Sequence, residues 1–331
     1  MAKITNLAFD AATDSGGAPA NLYASPEFLD VVAKTYFPAS DCRVEDFQLD
    51  GRIFRLLSVD GYPLTSDQAF LDMHEPLLLP QHYSHTKKLR RLTSVSHGLL
   101  SVDEFKNNAV WRNFLGAPTV LWNAFGDWSD YQELLRDRGV LMDDRRRWRR
   151  LEEVVGSLDF IANDLSEDVL STCFSWKSGR DRALKRTDLF ARDQTHAFFR
   201  ELHARRLLQA STLRGNGQLL AIWLGAVFQG RWSGWVTANK PDPSLAKFSL
   251  GRQMLYPMLE ESYRAGHQEF DFSIGLESYK LFFATHARAV GPLGVPLIRE
   301  RLLTLGKDLL RDHPVLYGKA KSLWGRFSSS P

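Results

Sequence analysis

The stretch Glu269–Lys280, EFDFSIGLESYK, decides how the rest of the chain is read. Phe270 and Phe272 alternate with Glu269, Asp271 and Ser273, so it opens as a strand with one apolar and one polar face. Gly275 breaks the alternation. The following ESYKLFF carries Glu277, Tyr279 and Lys280 into a helix expected over Ser278–Thr285. Ionisable groups delivered where a rigid strand meets a loop are the raw material of reactive sites. The plainer alternative is a half-buried strand followed by an ordinary amphipathic helix.

Working backward, Gly266 closes a helix expected over Arg252–Arg264, with Leu255, Met258, Leu259 and Ser262 on its inner face. Ser244–Gly251 reads as a loop. Three strands, Ala210–Arg214, Gln218–Phe228 and Arg231–Asn239, are joined by tight turns at Gly215-Asn216-Gly217 and Gln229-Gly230. Helices are expected over Glu167–Lys185 and Thr195–Leu208. The second places Phe198, Phe199 and Leu202 on one side and His203 and Arg206 one turn apart. Ala287–Pro292 is a last strand. The order helix, helix, three antiparallel strands, helix, strand, helix, strand is an α+β layout with one crossover helix before the fourth strand.

The first half is less regular. Residues 1–20 are a polar lead-in. Ser25-Pro26-Glu27 starts a helix: Ser caps, Pro fits the first turn and Glu favours the positive end of the dipole. Between Val44 and Leu79 lie the strand-like pieces VEDFQL, RIFRLLSV and EPLLL, with Asp50-Gly51 as a hairpin turn. Lys87–Arg91 is a basic loop or helix start, Ser101–Phe114 a helix, Thr119–Trp122 a short buried strand, and Trp128–Arg138 a helix closed by Gly139. The tail Leu297–Phe327 is amphipathic and helical, interrupted at Pro314.

The chain has 331 residues, 44% hydrophobic and 24% charged, which is the composition of a globular protein with room for two domains. No apolar run is long enough to cross a bilayer, and the first residues lack an apolar signal core, so a cytoplasmic location is expected. Cys42 and Cys173 make no disulfide framework and no zinc spacing. His74, His82, His85 and His97 match no compact ligand set, so no metal is expected. A net charge of +3 argues against DNA, but basic clusters stand at Arg145–Arg150, Lys177–Arg192 and in the tail. No dinucleotide or P-loop motif is present.

Four pieces, WKSGRDRALKR, FFRELHARR, KFSLGRQML and FDFSIGLESYK, taken in that order from Phe174 to Gly294, resemble the FemAB-like and CelD-type branch of the GNAT acyltransferases. YASPEFLDVV resembles the start of the paired-domain members. The resemblance implies a mixed, mostly antiparallel sheet flanked by helices, with two GNAT-like units in tandem: 1–150 a degenerate unit, 151–296 an acyl-CoA-binding unit, 297–331 a basic helical tail. It implies transfer of an acetyl or longer acyl group from acetyl-CoA or another acyl-CoA to an amine or hydroxyl of a small metabolite, sugar or peptide.

That chemistry needs a phosphate cradle, a base and an oxyanion partner. Lys247, Leu250, Gly251, Arg252 and Gln253 supply a helix start with added positive charge. Glu277 and Asp271 are candidate bases for an incoming ammonium group. Tyr279 matches the tyrosine that returns a proton to the leaving thiolate in many GNAT enzymes, and Lys280 resembles the FemAB lysine beside the acyl carbonyl. His203 and Arg206 would grip an acceptor, with Trp235 as cleft wall. Two departures stand out: the phosphate loop has only Gly251, and Pro257 falls inside the helix that follows, where it should bend or delay it. Two rival readings remain. Lys177–Arg192 could meet the acceptor stem of an aminoacyl-tRNA, the donor that FemAB relatives use. Alternatively, the fold has lost its chemistry and serves as a binding or scaffold protein. The tail, with Tyr317, Lys319, Lys321, Trp324, Arg326 and Phe327, could touch a membrane surface.

Overall fold

The computed structural model describes residues 22–64, 91–107, 114–164, 166–186 and 188–294. The expectations for the lead-in, for EPLLL, for Lys87–Arg90 of the basic segment (Arg91 is described and begins a strand), for His74, His82 and His85, and for the tail fall outside these residues.

Asp50 and Gly51 both take positive φ, 48° and 77°, the turn geometry that matches strand twist. They join β1 (Cys42–Leu49) to β2 (Arg52–Val59), and β3 (Tyr62–Pro63) completes a small antiparallel sheet. The large sheet has eight strands: β4 (Arg91–Ser101), β5 (Leu115–Leu121), β6 (Leu158–Ile161), β7 (Gln209–Gly215), β8 (Gln218–Phe228), β9 (Arg231–Asn239), β10 (Glu269–Asp271) and β11 (His286–Gly294). Their order is β4-β11-β5-β10-β9-β8-β7-β6. β9 and β10 pair in parallel; every other neighbouring pair is antiparallel. The expected mixed, mostly antiparallel sheet is therefore present, with α7 and α8 forming the expected crossover between the parallel β9 and β10.

The helices are α1 (Pro26–Tyr36), α2 (Val102–Asn107), α3 (Trp128–Asp137), α4 (Val140–Val155), α5 (Glu167–Ala183), α6 (Asp193–Ala204), α7 (Leu250–Gln253), α8 (Leu255–Arg264) and α9 (Ser278–Phe283). Ser25 caps α1 by accepting the Phe28 N–H at 3.2 Å, with Pro26 at the first position. The helix expected over Arg252–Arg264 divides at Met254 into α7 and α8. Pro257 is the reason: it offers no N–H to the carbonyl four residues earlier, at Gln253. Two expectations shift in extent. The helix expected at Ser101–Phe114 is α2 alone within the described residues, and the strand at Thr119 begins at Leu115.

β4, β6 and α4 were not expected. β6 alternates half-buried and exposed residues on a sheet edge, so no apolar face marks it. α4 runs through the Arg145–Arg150 cluster, whose charge hides the stripe of Val140, Leu141 and Leu151.

One core lies between the sheet and α1, α5 and α6, with Phe28, Phe174, Phe198, Phe199, Ile222 and Leu224 fully or nearly fully buried. The other lies under α3, α4 and α8, with Tyr131, Leu151, Met258, Leu259, Phe270 and Trp232. Each such side chain contributes roughly 1.5–3 kcal/mol through removal from water. Elements from the first 150 residues are built into this body. β5 is hydrogen-bonded between β10 and β11. α1 packs on α6 through Phe28 against Phe198, 5.8 Å between ring centres, and through Asp30 with Arg205 at 2.6 Å.

Candidate active site

β9 and β10 run side by side for three residues only, Arg231–Ser233 against Glu269–Asp271. Beyond that point they part. The chain after Asp271 turns toward β5, where Phe272 N–H donates to the Pro118 carbonyl at 3.0 Å and Gly275 N–H to the Gly116 carbonyl at 2.9 Å. β9 goes on to Asn239 paired with β8 alone. A bulge marks the parting. Gly225 faces Gly234 while Leu224 faces Val236, so Trp235 is the extra residue. Only glycine fits at 225, because a Cβ there would lie 2.0 Å from the Ser233 carbonyl oxygen. Bulges of this kind re-aim a side chain. Here Trp235 Nε1 donates to the Tyr23 hydroxyl at 2.9 Å.

The wedge is closed at its wide end by α7. Ser249 enters the helix at φ 55°, and Gly251 sits where a Cβ would touch Asn239 Oδ1 at 3.4 Å and Thr237 Oγ1 at 3.5 Å. Gly251 thus turns its Cα toward the end of β9. The first amides of α7 have no carbonyl of their own helix to bond. Several buried polar atoms in and beside α7 lack a partner among the described residues: Asn239 Oδ1, Arg252 Nε, Gln253 Nε2 and, at the other wall, Ser273 Oγ. Buried polar atoms ordinarily have a partner, so these atoms at the end of β9 call for an explanation.

Arg252 is held from α4: its Nη2 lies 2.9 Å from Asp144 Oδ1 and 3.9 Å from Asp143 Oδ2. Neither Asp144 oxygen makes an aligned hydrogen bond. Burial pushes the Asp144 carboxyl up to about 6, against the pull of Arg252. The same guanidinium stands 5.7 Å from the Phe282 ring, which joins α7 to α9 across the wedge. Leu250 is buried, whereas Lys247 is exposed and lies 5.1 Å from the Phe248 ring centre.

Lys280 is 6% exposed, with its ammonium donating to the Ile274 carbonyl at 2.9 Å and 3.0 Å from Glu277 Oε2. Glu277 is half open to solvent and folds over Gly275. Tyr279 is half-buried; burial raises its phenol to about 12, Glu277 adds to the rise and Arg180 of α5 opposes it. Asp271 is buried, and its Oδ1 accepts the Ser273 N–H at 2.8 Å, which holds Ser273 at φ 63°. Burial, with the Asp271 charge adding, drives the Tyr23 phenol well above its ordinary range.

The structure therefore places Asp271, Glu277, Tyr279 and Lys280 along β10, the loop after it and α9, and Leu250, Gly251, Arg252 and Gln253 on α7, linked by Arg252 against Phe282, while Trp235 turns to Tyr23 at the bulge of β9. It places His203 and Arg206 elsewhere, at the end of α6, which packs on α1 and leads into β7, two strands away from β9. Sequence reasoning missed Tyr23, Asp144 and the place of Arg180 beside Tyr279. Each lies about 100 positions or more from the residue it meets, so no local spacing could reveal it.

Residues 140–281 match the family model described as acetyltransferase (GNAT) domain. The fold of these residues is GNAT-like. No curated protein matches the chain. Among solved structures, FemX aligns over 86% of this chain and 94% of its own at 10% identity, with a TM-score of 0.51. That likeness extends the shared fold beyond the matched segment. L-PGS from Bacillus licheniformis aligns over 87% of this chain and 96% of its own, at 10% identity and TM-score 0.42. A conserved protein of unknown function from Bacteroides thetaiotaomicron covers 55% of this chain at 13% identity and TM-score 0.36. The chain spans 60% of that protein's length.

Proposed function

We propose that the chain transfers an acyl group from acyl-CoA to an amine or hydroxyl of a small metabolite, sugar or peptide, in the wedge between β9 and β10. The observation that carries this reading is the wedge itself. A strand edge left open along Gly234–Asn239 ends at helix amides and unpartnered buried polar atoms, and a buried ammonium stands on the facing wall. The open edge suits the amide-bearing arm of CoA, and the α7 amides suit its pyrophosphate.

The incoming nitrogen or oxygen forms a bond to the thioester carbonyl carbon, and the carbon–sulfur bond then breaks. Glu277, within reach of solvent, takes the proton from the nucleophile. Lys280 stabilises the oxygen as it becomes negative, and Tyr279 returns a proton to the departing thiolate. Asp271 holds the loop through Ser273. Calorimetric titration with acetyl-CoA and a longer acyl-CoA tests the donor; no heat at high micromolar ligand sinks it.

A second donor is favoured by one feature. Arg180, Lys185 and Arg186 are exposed at the end of α5, and Arg180 lies within electrostatic reach of Tyr279. An aminoacyl-tRNA could use that patch. Its binding would fall steeply with salt, and filter retention of tRNA at low salt decides for or against it. A non-catalytic scaffold remains the reading if neither donor binds.

A further inference from the structure

A cavity of about 720 Å³ opens at the other end of β10, away from the wedge. It lies among the end of β5, the Gln229-Gly230 turn, the start of β10 and the end of α8. Its volume suits a small organic molecule. Glu269 and Asp271 are two residues apart on β10, about 7 Å along the strand, so this cavity and the wedge share a wall without being the same site.

One side is aromatic. Phe125 and Tyr263 flank Trp122, with ring centres 6.5 and 5.6 Å from it. The other side presents donors. Arg231 gives its Nε to Glu269 Oε2 at 3.0 Å, and its two Nη groups have no hydrogen-bond partner among the described residues. The Glu269 carboxylate on this wall is already neutralised. Arg288 Nη2 donates to its Oε1 at 2.6 Å and Thr119 Oγ1 to the same oxygen at 2.8 Å.

His267 adds a second donor, and its tautomer follows from its neighbours. Trp122 Nε1 can only donate, and it donates to Ser262 Oγ at 3.0 Å. Among the described residues, the acceptor within reach of the Ser262 hydroxyl proton is His267 Nδ1, at 3.1 Å. With Nδ1 accepting the Ser262 hydroxyl proton, the proton of the neutral ring is carried on Nε2. Burial favours that neutral form by lowering the imidazole's affinity for a second proton. His267 lines the cavity.

We propose that this cavity is a second binding site, for a small organic anion with an aromatic body. The Arg231 fork and His267 Nε2–H hold its carboxylate, and Phe125 and Tyr263 pack on its ring. The probe is 2-naphthoate, titrated calorimetrically into the full chain, with (2-naphthyl)methylammonium as the cation of the same shape. Naphthoate is expected to bind with Kd on the order of 10⁻⁴ M, a value ordinary for a ligand of this size, and the cation at least tenfold more weakly. His267→Phe and Arg231→Met should each weaken naphthoate about tenfold. If loss of the Glu269 partner unfolds Arg231→Met, His267→Phe and Tyr263→Ala still decide. Lys280→Met should leave naphthoate affinity unchanged. Equal binding of the two probes, no naphthoate binding, full affinity in His267→Phe, or lost affinity in Lys280→Met would each overturn the proposal.

Discussion

The two ends of β10 hold carboxylates in opposite circumstances. At its start, Glu269 is buried and surrounded by Arg231, Arg288 and Thr119. Burial alone would raise its pKa, but the two guanidiniums and the hydroxyl hold it down to about 2. At the other end, Asp271 is satisfied by a backbone amide, and the nearby Lys280 ammonium has one carbonyl and one half-exposed carboxylate. In the first arrangement the Glu269 charge is fully answered in fixing β9, β10 and β11 together, and only the Arg231 Nη groups are left over. The second leaves a buried cation beside an opening. A charge completely answered by the protein is scaffold; one answered in part is available to a ligand.

Glu269→Gln attacks the first end and should produce the largest effect. The buried Arg288 and the half-buried Arg231 would lose their counter-charge, at a cost of about 3–5 kcal/mol. The sign in pH follows: Glu269 titrates below its ordinary value in the fold, so its stabilisation is present above about pH 4.5 and is lost as pH falls toward 2. Urea unfolding measures both; a loss under 1 kcal/mol would break the comparison.

Lys280→Met attacks the second end. Turnover should fall about 10²–10³-fold, with acyl-CoA affinity and the melting temperature nearly unchanged. A large loss of stability with unchanged turnover per folded molecule would make Lys280 scaffold as well.

Asp144→Asn asks whether Arg252 belongs to the protein or to the ligand. Freed from α4, Arg252 should improve acyl-CoA affinity roughly threefold to tenfold, a fraction of the worth of a charge-assisted contact. In the unaltered protein that affinity should rise as pH falls through about 6, where Asp144 takes up its proton. Because its pKa is raised by burial, Asp144 favours the fold below about pH 4, and that contribution fades as pH rises through about 6. The variant should lose both dependences. An affinity identical to the original across this range would leave Arg252 a structural residue.

The smallest effect is expected from Gly251→Ala. The added Cβ meets Asn239 and Thr237 at ordinary contact distance, so stability should move by less than about 0.5 kcal/mol. Gly251→Val reaches further and should weaken acyl-CoA binding by crowding the end of β9. Equal binding by both variants would place the phosphates elsewhere.

Much of this was legible in local pattern. The alternation around Phe270 and Phe272, the Asp50-Gly51 turn and the Pro257 break each have a cause within a few residues. What escaped was everything decided at long range. β5 enters the sheet between β10 and β11 although about 150 positions separate it from β10. Glu269 reads as one polar residue of an alternating strand, and only assembly brings Arg231 and Arg288 to it. Arg252 reads as a cation at a helix start, and only the packing of α4 reveals Asp144. His203 and Arg206 share a helix turn, which says nothing of which strand that helix will cover.

The most direct test of the central claim is titration of the full chain with acetyl-CoA and a longer acyl-CoA, alongside Lys280→Met. The expected result is saturable micromolar binding of at least one of them by both proteins, with acyl transfer to an amine or hydroxyl acceptor by the unaltered chain alone. No binding of either thioester at high micromolar concentration by a folded protein, or equal transfer by both, would contradict it.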